Sequence, residues 1–289
     1  MIVGTRGSPL ALKQTYYVVN QLSKLVNEEV KIKIIKTTGD KIKDSQLHKI
    51  GQRGVFTKEI DKAVLNEEVD LAVHSLKDVP TELHEDLEIV AIPHRDSPNE
   101  VLVSKYSWDE LSEECILGTS SLRRKAFCRY HGKKFKIKPL RGNIETRIKK
   151  VEDGEYDATI MAEAALKRLN LEKYIKKRFS VKYFTPSAGQ GAIAIETRSD
   201  SKYISVLKKL NDHRAFYEVT AERTVLKELG VGCQWPIGVV ARSKGKNLNL
   251  YAILLSKKGK LLSKIELDGK LHEATKLGKK AAKKMEGYI

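Results

Sequence analysis

The chain has 289 residues and a formal net charge of +17, carried by 40 lysines and 14 arginines against 37 acidic residues. At about 100–150 residues per domain, that length accommodates two or three compact domains, each with its own core. Three cysteines, Cys115, Cys128 and Cys233, are an odd number without C-x-x-C spacing. That argues against both a disulfide framework and a zinc cage and fits a reducing cytoplasm. No run approaches the roughly 18 apolar residues of a membrane span, and Met1 to Arg6 lacks the pattern of a leader. A soluble, unexported chain with no membrane partner is expected. The seven histidines show no ligand spacing, so no metal is expected and they read as structural or surface groups.

A charge of +17 invites a nucleic-acid reading, since basic faces displace counterions from phosphates. The distribution argues against it: the lysines are scattered through helices and the C-terminal hairpins with glutamates between them, and the 7% aromatic content is not gathered among basic patches. Lysine and glutamate enrichment of this kind also occurs in thermophiles. Half of the arginines (Arg6, Arg53, Arg95, Arg123, Arg124, Arg141, Arg147) fall in or beside loops rich in Gly, Ser, Thr and Asn. There the planar fork of arginine suits bidentate pairing with carboxylate or phosphate.

In chain order, Ile2 to Thr5 reads as a strand, and Ser8-Pro9 as an N-cap with proline at the first position of an amphipathic helix to about Val26. Val30 to Thr37 is a second strand. The polar stretch from Gly39 to Gly54 is a candidate lid, ending at Val55-Phe56 before a helix over Thr57 to Asn66. Asp70 to His74 and Leu87 to Pro93 are further strands. The order then recurs. Gly118-Thr119-Ser120-Ser121 leads into a helix through Arg123 and Arg124 as Gly4-Thr5-Arg6-Gly7-Ser8 led into the first. Lys134 to Pro139 matches the second strand, Asn143 to Glu152 the helix at Thr57, and Tyr156 to Ile160 the strand at Asp70.

Two similar α/β lobes with largely parallel or mixed sheets follow, and ligands of such sheets bind beyond the carboxyl ends of the strands. The cleft between the lobes is the expected site. Gly191 to Thr197 reads as a strand returning to the first lobe; with the crossing near Pro93 to Asn99, this makes a double connection suited to a hinge. A helix over Ala215 to Leu229, strands at Ile237 to Arg242, Leu248 to Leu255 and Leu261 to Leu267, and a helix over His272 to Met285 make a small α+β domain with an antiparallel sheet. The predicted domains are 1–95 with 190–209, 98–187, and 212–289, the last carrying Cys233 in the loop Gly232-Cys233-Gln234-Trp235-Pro236.

Six motifs, in this order, carry a resemblance: Thr5-Arg6-Gly7-Ser8-Pro9-Leu10-Ala11-Leu12, His74-Ser75-Leu76-Lys77-Asp78-Val79-Pro80, Gly118-Thr119-Ser120-Ser121-Leu122-Arg123-Arg124, Leu140-Arg141-Gly142-Asn143, Gly189-Gln190-Gly191-Ala192 and Gly232-Cys233-Gln234. Together they span nearly the whole chain, which resembles the porphobilinogen deaminase (hydroxymethylbilane synthase) family. The resemblance implies a three-domain transferase of tetrapyrrole and heme biosynthesis, with two periplasmic-binding-protein-like lobes. It would join four porphobilinogen molecules head to tail, release ammonia and free hydroxymethylbilane. It further implies a dipyrromethane cofactor held by a thioether at Cys233 and acting as covalent primer, Asp78 as the catalytic carboxylate, and a cytoplasmic monomer. Arg6, Ser8, Ser75, Lys77, Thr119, Ser120, Ser121, Arg123, Arg124, Arg141, Asn143, Arg147 and Gln190 would hold the acetate and propionate groups of cofactor and substrate. Lys49, Arg53 and Phe56 would belong to the lid, with Phe56 packing on a pyrrole face.

The residue types suit that chemistry. Condensation passes through cationic pyrrole species, which a fixed carboxylate can stabilise through the pyrrole N–H groups while assisting proton transfer. Each added ring brings two more carboxylates, and charge-assisted hydrogen bonds contribute roughly 1.5–3 kcal/mol each. Structural alternatives stay open. Asp78 also reads as a turn cap beside Pro80, and Ser8 and Ser121 as helix caps, a role compatible with anion binding. Arg123 and Arg124 also read as solvated charges, although neighbours on a helix point about 100° apart. Arg147 also reads as surface. Three positions depart from the family pattern: Arg53 stands where lysine is common, Val231 where glycine is common, and Trp235 is bulkier than expected. A non-catalytic two-lobed binder of an anionic metabolite would share the lobes and the arginines but would require neither Cys233 nor Asp78.

Overall fold

The computed structural model describes residues 1–41, 55–232 and 234–289, so Lys49, Arg53 and Cys233 lie outside the described residues. The chain forms two compact units, one of residues 1–96 and 191–216, the other of residues 97–190 and 217–289.

The first unit opens with β1 (Ile2–Thr5), α1 (Pro9–Leu22), β2 (Lys31–Ile34), α2 (Thr38–Lys41), α3 (Lys58–Leu65), β3 (Leu71–Ser75) and β4 (Leu87–Ala91). The second unit begins with β5 (Glu100–Ser104), β6 (Ile116–Gly118), α4 (Leu122–Tyr130), β7 (Lys136–Lys138), α5 (Ile144–Glu152), β8 (Ala158–Ala162), α6 (Glu163–Arg168) and β9 (Ile175–Arg178). The chain returns to the first unit for β10 (Ile193–Arg198) and α7 (Ile204–Leu207). It ends in the second with α8 (His213–Glu228, which begins in the first), β11 (Ile237–Lys244), β12 (Asn247–Leu255), β13 (Leu261–Lys270) and α9 (Ala274–Met285).

The repeat read from the sequence is a repeat of topology. The first unit's sheet runs β2-β1-β3-β10-β4 and the second unit's runs β7-β6-β8-β5-β9. In each, the first three strands are parallel and the fourth is antiparallel to both its neighbours. In each, that fourth strand is the one formed directly after the chain enters the unit. These are mixed α/β sheets of the predicted class.

Strand alternation separates the layers. On β3, Leu71 and Val73 join a core with Val18 and Leu22 of α1, while Ala72 faces Ile60, Ala63 and Val64 of α3. α1 begins at Ser8, whose hydroxyl accepts the Ala11 N–H at 3.3 Å, with Pro9 at the first position. It ends at Leu22 rather than near Val26, because Ser23 turns its hydroxyl back to the Val19 carbonyl and the N–H groups of Leu25 and Val26 converge on the Leu22 carbonyl.

The antiparallel sheet β11-β12-β13 is buried on both faces inside the second unit. Leu248, Leu250, Ala252 and Leu254 of β12 pack with Ala221 and Val225 of α8 and Leu277 and Ala281 of α9. Tyr251, Ile253 and Leu255 share a core with Leu102, Phe127 and Phe184. β11 and β12 turn at Gly245, which takes φ +60°, as a two-residue hairpin loop requires. α9 buries Ala274, Leu277, Gly278, Ala281 and Met285 at helical spacing and leaves its lysines outward. None of the helices among the described residues is long and apolar enough to cross a membrane.

Candidate functional site

In the first unit the carboxyl ends of the adjacent parallel strands β1 and β3 carry the predicted residues. β1 runs out into Arg6 and the Ser8 cap, and β3 into Ser75 and a single 3-10 turn over Leu76–Asp78. That turn is anchored from below: Leu76 is buried and its N–H donates to the Ala192 carbonyl at 3.0 Å. Asp78 is thereby held exposed at the mouth of a pocket that Arg6, Ser8, Gln14, Phe56, His74 and Ser75 also line. The Arg6 guanidinium lies 4.4 Å from the centre of the Phe56 ring, a cation–π contact. Lys77 is half-buried on the same turn.

His74, at the floor, is buried, and its Nε2 has no hydrogen-bond partner among the described residues. Burial, helped by the positive charge of Arg6, pushes its pKa down to about 4, so the imidazole is neutral at pH 7. Donor atoms of Asp61, His74 and Glu196 all lie within 4.8 Å of one another. The face alternation that sends Ala72 toward α3 sends His74 there as well, and Glu196, paired with Ala72 across the sheet, follows. Burial raises the pKa of Asp61, against the hydrogen bond it accepts from Thr57 at 3.0 Å. This polar layer was not read from the sequence; Asp61 and Glu196 look like ordinary surface charges until the sheet register places them.

The second unit repeats the plan at β6 and β7. β6 ends in Thr119, Ser120 and Ser121, and Ser121 caps α4 by accepting the Arg124 N–H at 3.3 Å, the distance found at Ser8. The Thr119 hydroxyl accepts the Ser121 N–H. Arg123 and Arg124 follow, and neither is a solvated helix charge: both are buried, against Glu100 at the start of β5. Arg124 grips both carboxylate oxygens, Nε to Oε1 at 3.2 Å and Nη2 to Oε2 at 2.8 Å. Arg123 pairs through Nη2 with Oε1 and donates from Nη1 to the Thr185 carbonyl at 2.6 Å. Burial alone would raise the pKa of Glu100, but Arg124 and Arg123 hold it down at about 2. Glu100 was absent from the sequence reading, since a lone glutamate in Pro-Asn-Glu-Val carries no signal.

Arg141 is half-buried in the loop after β7, and Asn143 occupies the N-cap of α5 without a side-chain capping bond. Arg147, within α5, turns back so that Nε donates to the Gly142 carbonyl at 2.8 Å. Gln190 is fully buried, and its Nε2 donates to the Pro98 carbonyl at 2.7 Å, joining two of the segments at which the chain passes between units. Next to it the Gly189 N–H donates to buried Glu222.

The site residues therefore fall into two groups: Arg6, Ser8, Ser75, Lys77 and Asp78 with Phe56 in the first unit, and Thr119, Ser120, Ser121, Arg123, Arg124, Arg141, Asn143, Arg147 and Gln190 in the second. A carboxylate at a pocket mouth and cationic side chains at the ends of parallel strands suit a polycarboxylate ligand that also needs a stabilised positive charge.

Residues 1–206 match the family model described as "Porphobilinogen deaminase, dipyromethane cofactor binding domain", and residues 216–287 the one described as "Porphobilinogen deaminase, C-terminal domain". A "Probable porphobilinogen deaminase" of Methanothermobacter thermautotrophicus is 60% identical over 100% of both chains. The "Porphobilinogen deaminase" of Carboxydothermus hydrogenoformans is 44% identical over 96% of this chain and 91% of the relative. A "Probable porphobilinogen deaminase" of Archaeoglobus fulgidus is 41% identical over 99% of each. Among solved structures, a periplasmic substrate-binding protein from Coxiella burnetii aligns with a TM-score of 0.47 at 13% identity, covering 73% of this chain and 91% of that one. With two family models spanning nearly all of the sequence and a full-length relative at 60% identity, the chain belongs to the porphobilinogen deaminase family.

Proposed function

We propose that this chain performs its family's reaction, joining four porphobilinogen molecules head to tail with loss of ammonia to give hydroxymethylbilane, and that Asp78 is its catalytic carboxylate. The observation that carries the reading is Asp78 itself, an exposed carboxylate on a turn anchored by buried Leu76, at the mouth of a pocket with Arg6 and Ser8.

The residues suit a dipyrromethane, whose acetate and propionate groups call for several cations. Arg6 and Lys77 offer them in the first unit, and Arg123, Arg124, Arg141 and Arg147 in the second. Cys233 is the attachment point that the family motif indicates. When bound, the group supplies a covalent primer with a free pyrrole α-carbon. The chain's own residues then have separable tasks. Arginines and capped helix N-termini bind carboxylates and fix the register of the rings. Asp78 accepts hydrogen bonds from pyrrole N–H groups, lowers the energy of cationic character that develops as ammonia leaves, and assists transfer of the proton lost when aromaticity returns. Phe56, beside Arg6, closes apolar surface over the reacting carbon and excludes water. His74 is neutral beneath the site and adds no competing charge.

The reading extends to a cytoplasmic monomer handling small anions rather than nucleic acid, which the interspersed lysines and glutamates support. The test is the intact mass of the denatured chain, with peptide mapping, before and after incubation with porphobilinogen. The expected result is a surplus of two linked pyrrole units on the Cys233 peptide and consumption of porphobilinogen. A mass that never changes with porphobilinogen present, and no turnover, would refute the reading.

A further inference from the structure

Adjacent residues on a helix point about 100° apart, so two guanidiniums on the first turn of α4 diverge unless something gathers them. Glu100 does so. Its carboxylate is fully buried on β5, bonded to Nε and Nη2 of Arg124 and to Nη2 of Arg123, while the Thr185 carbonyl holds the Nη1 of Arg123. The arginine side chains remain 8% and 11% exposed, so each is largely locked in place with a small part of it at the surface. A buried ion triad of this kind contributes little net stability beyond an apolar replacement of the same volume. Its chemical consequence is orientation.

We propose that Glu100 is a positioning residue for the reaction: it sets the guanidiniums of Arg123 and Arg124 as one unit for a pyrrole carboxylate. This rests on the reading that Arg123 and Arg124 bind the carboxylates of cofactor and substrate.

The test compares the full-length chain with Glu100→Gln, Glu100→Asp and Arg124→Gln. Three quantities are read: the fraction carrying dipyrromethane by denaturing mass spectrometry, KM and kcat per loaded molecule, and the mass ladder of intermediates under limiting porphobilinogen. Glu100→Gln keeps the volume but turns an amide toward one guanidinium. Per loaded molecule it is expected to raise KM about tenfold, the equivalent of one misplaced charge-assisted bond, and to stall the ladder. Glu100→Asp, which keeps the charge on a shorter arm, should recover part of both. Unchanged KM and ladder per loaded molecule, with only the yield of folded protein reduced, would make Glu100 purely structural and overturn the proposal. If Glu100→Gln does not fold, Glu100→Asp decides alone, and an unaltered KM in that variant overturns it. Arg124→Gln separates the two layers: if it too leaves KM and ladder unchanged, the carboxylate-binding reading of the arginines falls as well, whereas an effect there without one at Glu100 removes only the positioning role. The double variant Glu100→Gln with Arg124→Gln should bind no worse than Arg124→Gln alone.

Discussion

Gln14 and Ser75 lock α1 to the end of β3. The Gln14 amide donates from Nε2 to the Ser75 hydroxyl at 2.9 Å and accepts from it through Oε1 at 3.1 Å, with Gln14 buried. Ser75 directly precedes the turn that presents Asp78, so this pair connects the packing of the first helix to the aim of the Asp78 carboxylate.

Gln14→Ala should therefore cost both stability and rate. Loss of the buried pair is expected to destabilise the protein by about 1–2 kcal/mol, read as a lower denaturant midpoint. Looser placement of Asp78 should lower kcat more than it raises KM. An unchanged kcat in the folded variant would show that the turn holds its position through Leu76 alone.

Asp78→Ala should behave oppositely. Asp78 is exposed and the turn beneath it is fixed by buried Leu76, so the change in stability should stay within about 0.5 kcal/mol. Turnover should fall about a hundredfold or more, as for loss of an electrostatic or acid–base group, while the dipyrromethane mass stays on the protein. Near-normal turnover would reduce Asp78 to a cap of its own turn.

Cys233→Ser should yield a folded chain of unmodified mass that does not gain stable adducts with porphobilinogen, because a serine hydroxyl is a far weaker nucleophile than a thiol at neutral pH. A serine variant fully loaded with two pyrrole units would place the attachment elsewhere.

Glu100 governs an acid limb of stability. Its carboxyl has an ordinary value of 4.5 and is held at about 2 in the folded chain. A group depressed on folding contributes its stability above its unfolded pKa and loses it as pH falls through the folded one. The contribution is thus complete above about pH 5 and gone near pH 2, and amounts to about 3 kcal/mol by linkage. Acid titration of the denaturant midpoint should show this limb in the wild type and a shallower one in Glu100→Gln. Equal slopes would mean that Glu100 is not ionised in the folded state.

Much of the fold was legible. Strand and helix periods, the cap at Ser8 and its counterpart at Ser121, and the return of the chain near 191 marked two similar α/β lobes, and the three C-terminal strands appeared as a meander. Boundaries moved where local bonds decide them. The strand expected over Tyr156 to Ile160 runs over Ala158–Ala162, with the Tyr156 hydroxyl instead bonded to the Pro139 carbonyl. β5 and β9 were not expected: the short apolar run Val101-Leu102-Val103 gives no clear period, and β9, Ile175-Lys176-Lys177-Arg178, is mostly charged.

The sequence by itself determined the family, the lobed class, and which residue types gather at strand ends, because caps, glycine turns and motif order are local properties of the chain. Only the tertiary structure decided who faces whom. Arg123 and Arg124 looked like solvated charges or ligands, and burial against a glutamate more than twenty positions away makes them a gathered pair. Asp61, His74 and Glu196 meet because β10 pairs antiparallel with β3 in a register that puts Glu196 opposite Ala72. The antiparallel sheet, which reads as a separate domain, shares a core with Leu102 and Phe127. Long-range pairings of this kind depend on sheet register and on desolvating several groups together, which no window of neighbouring residues encodes.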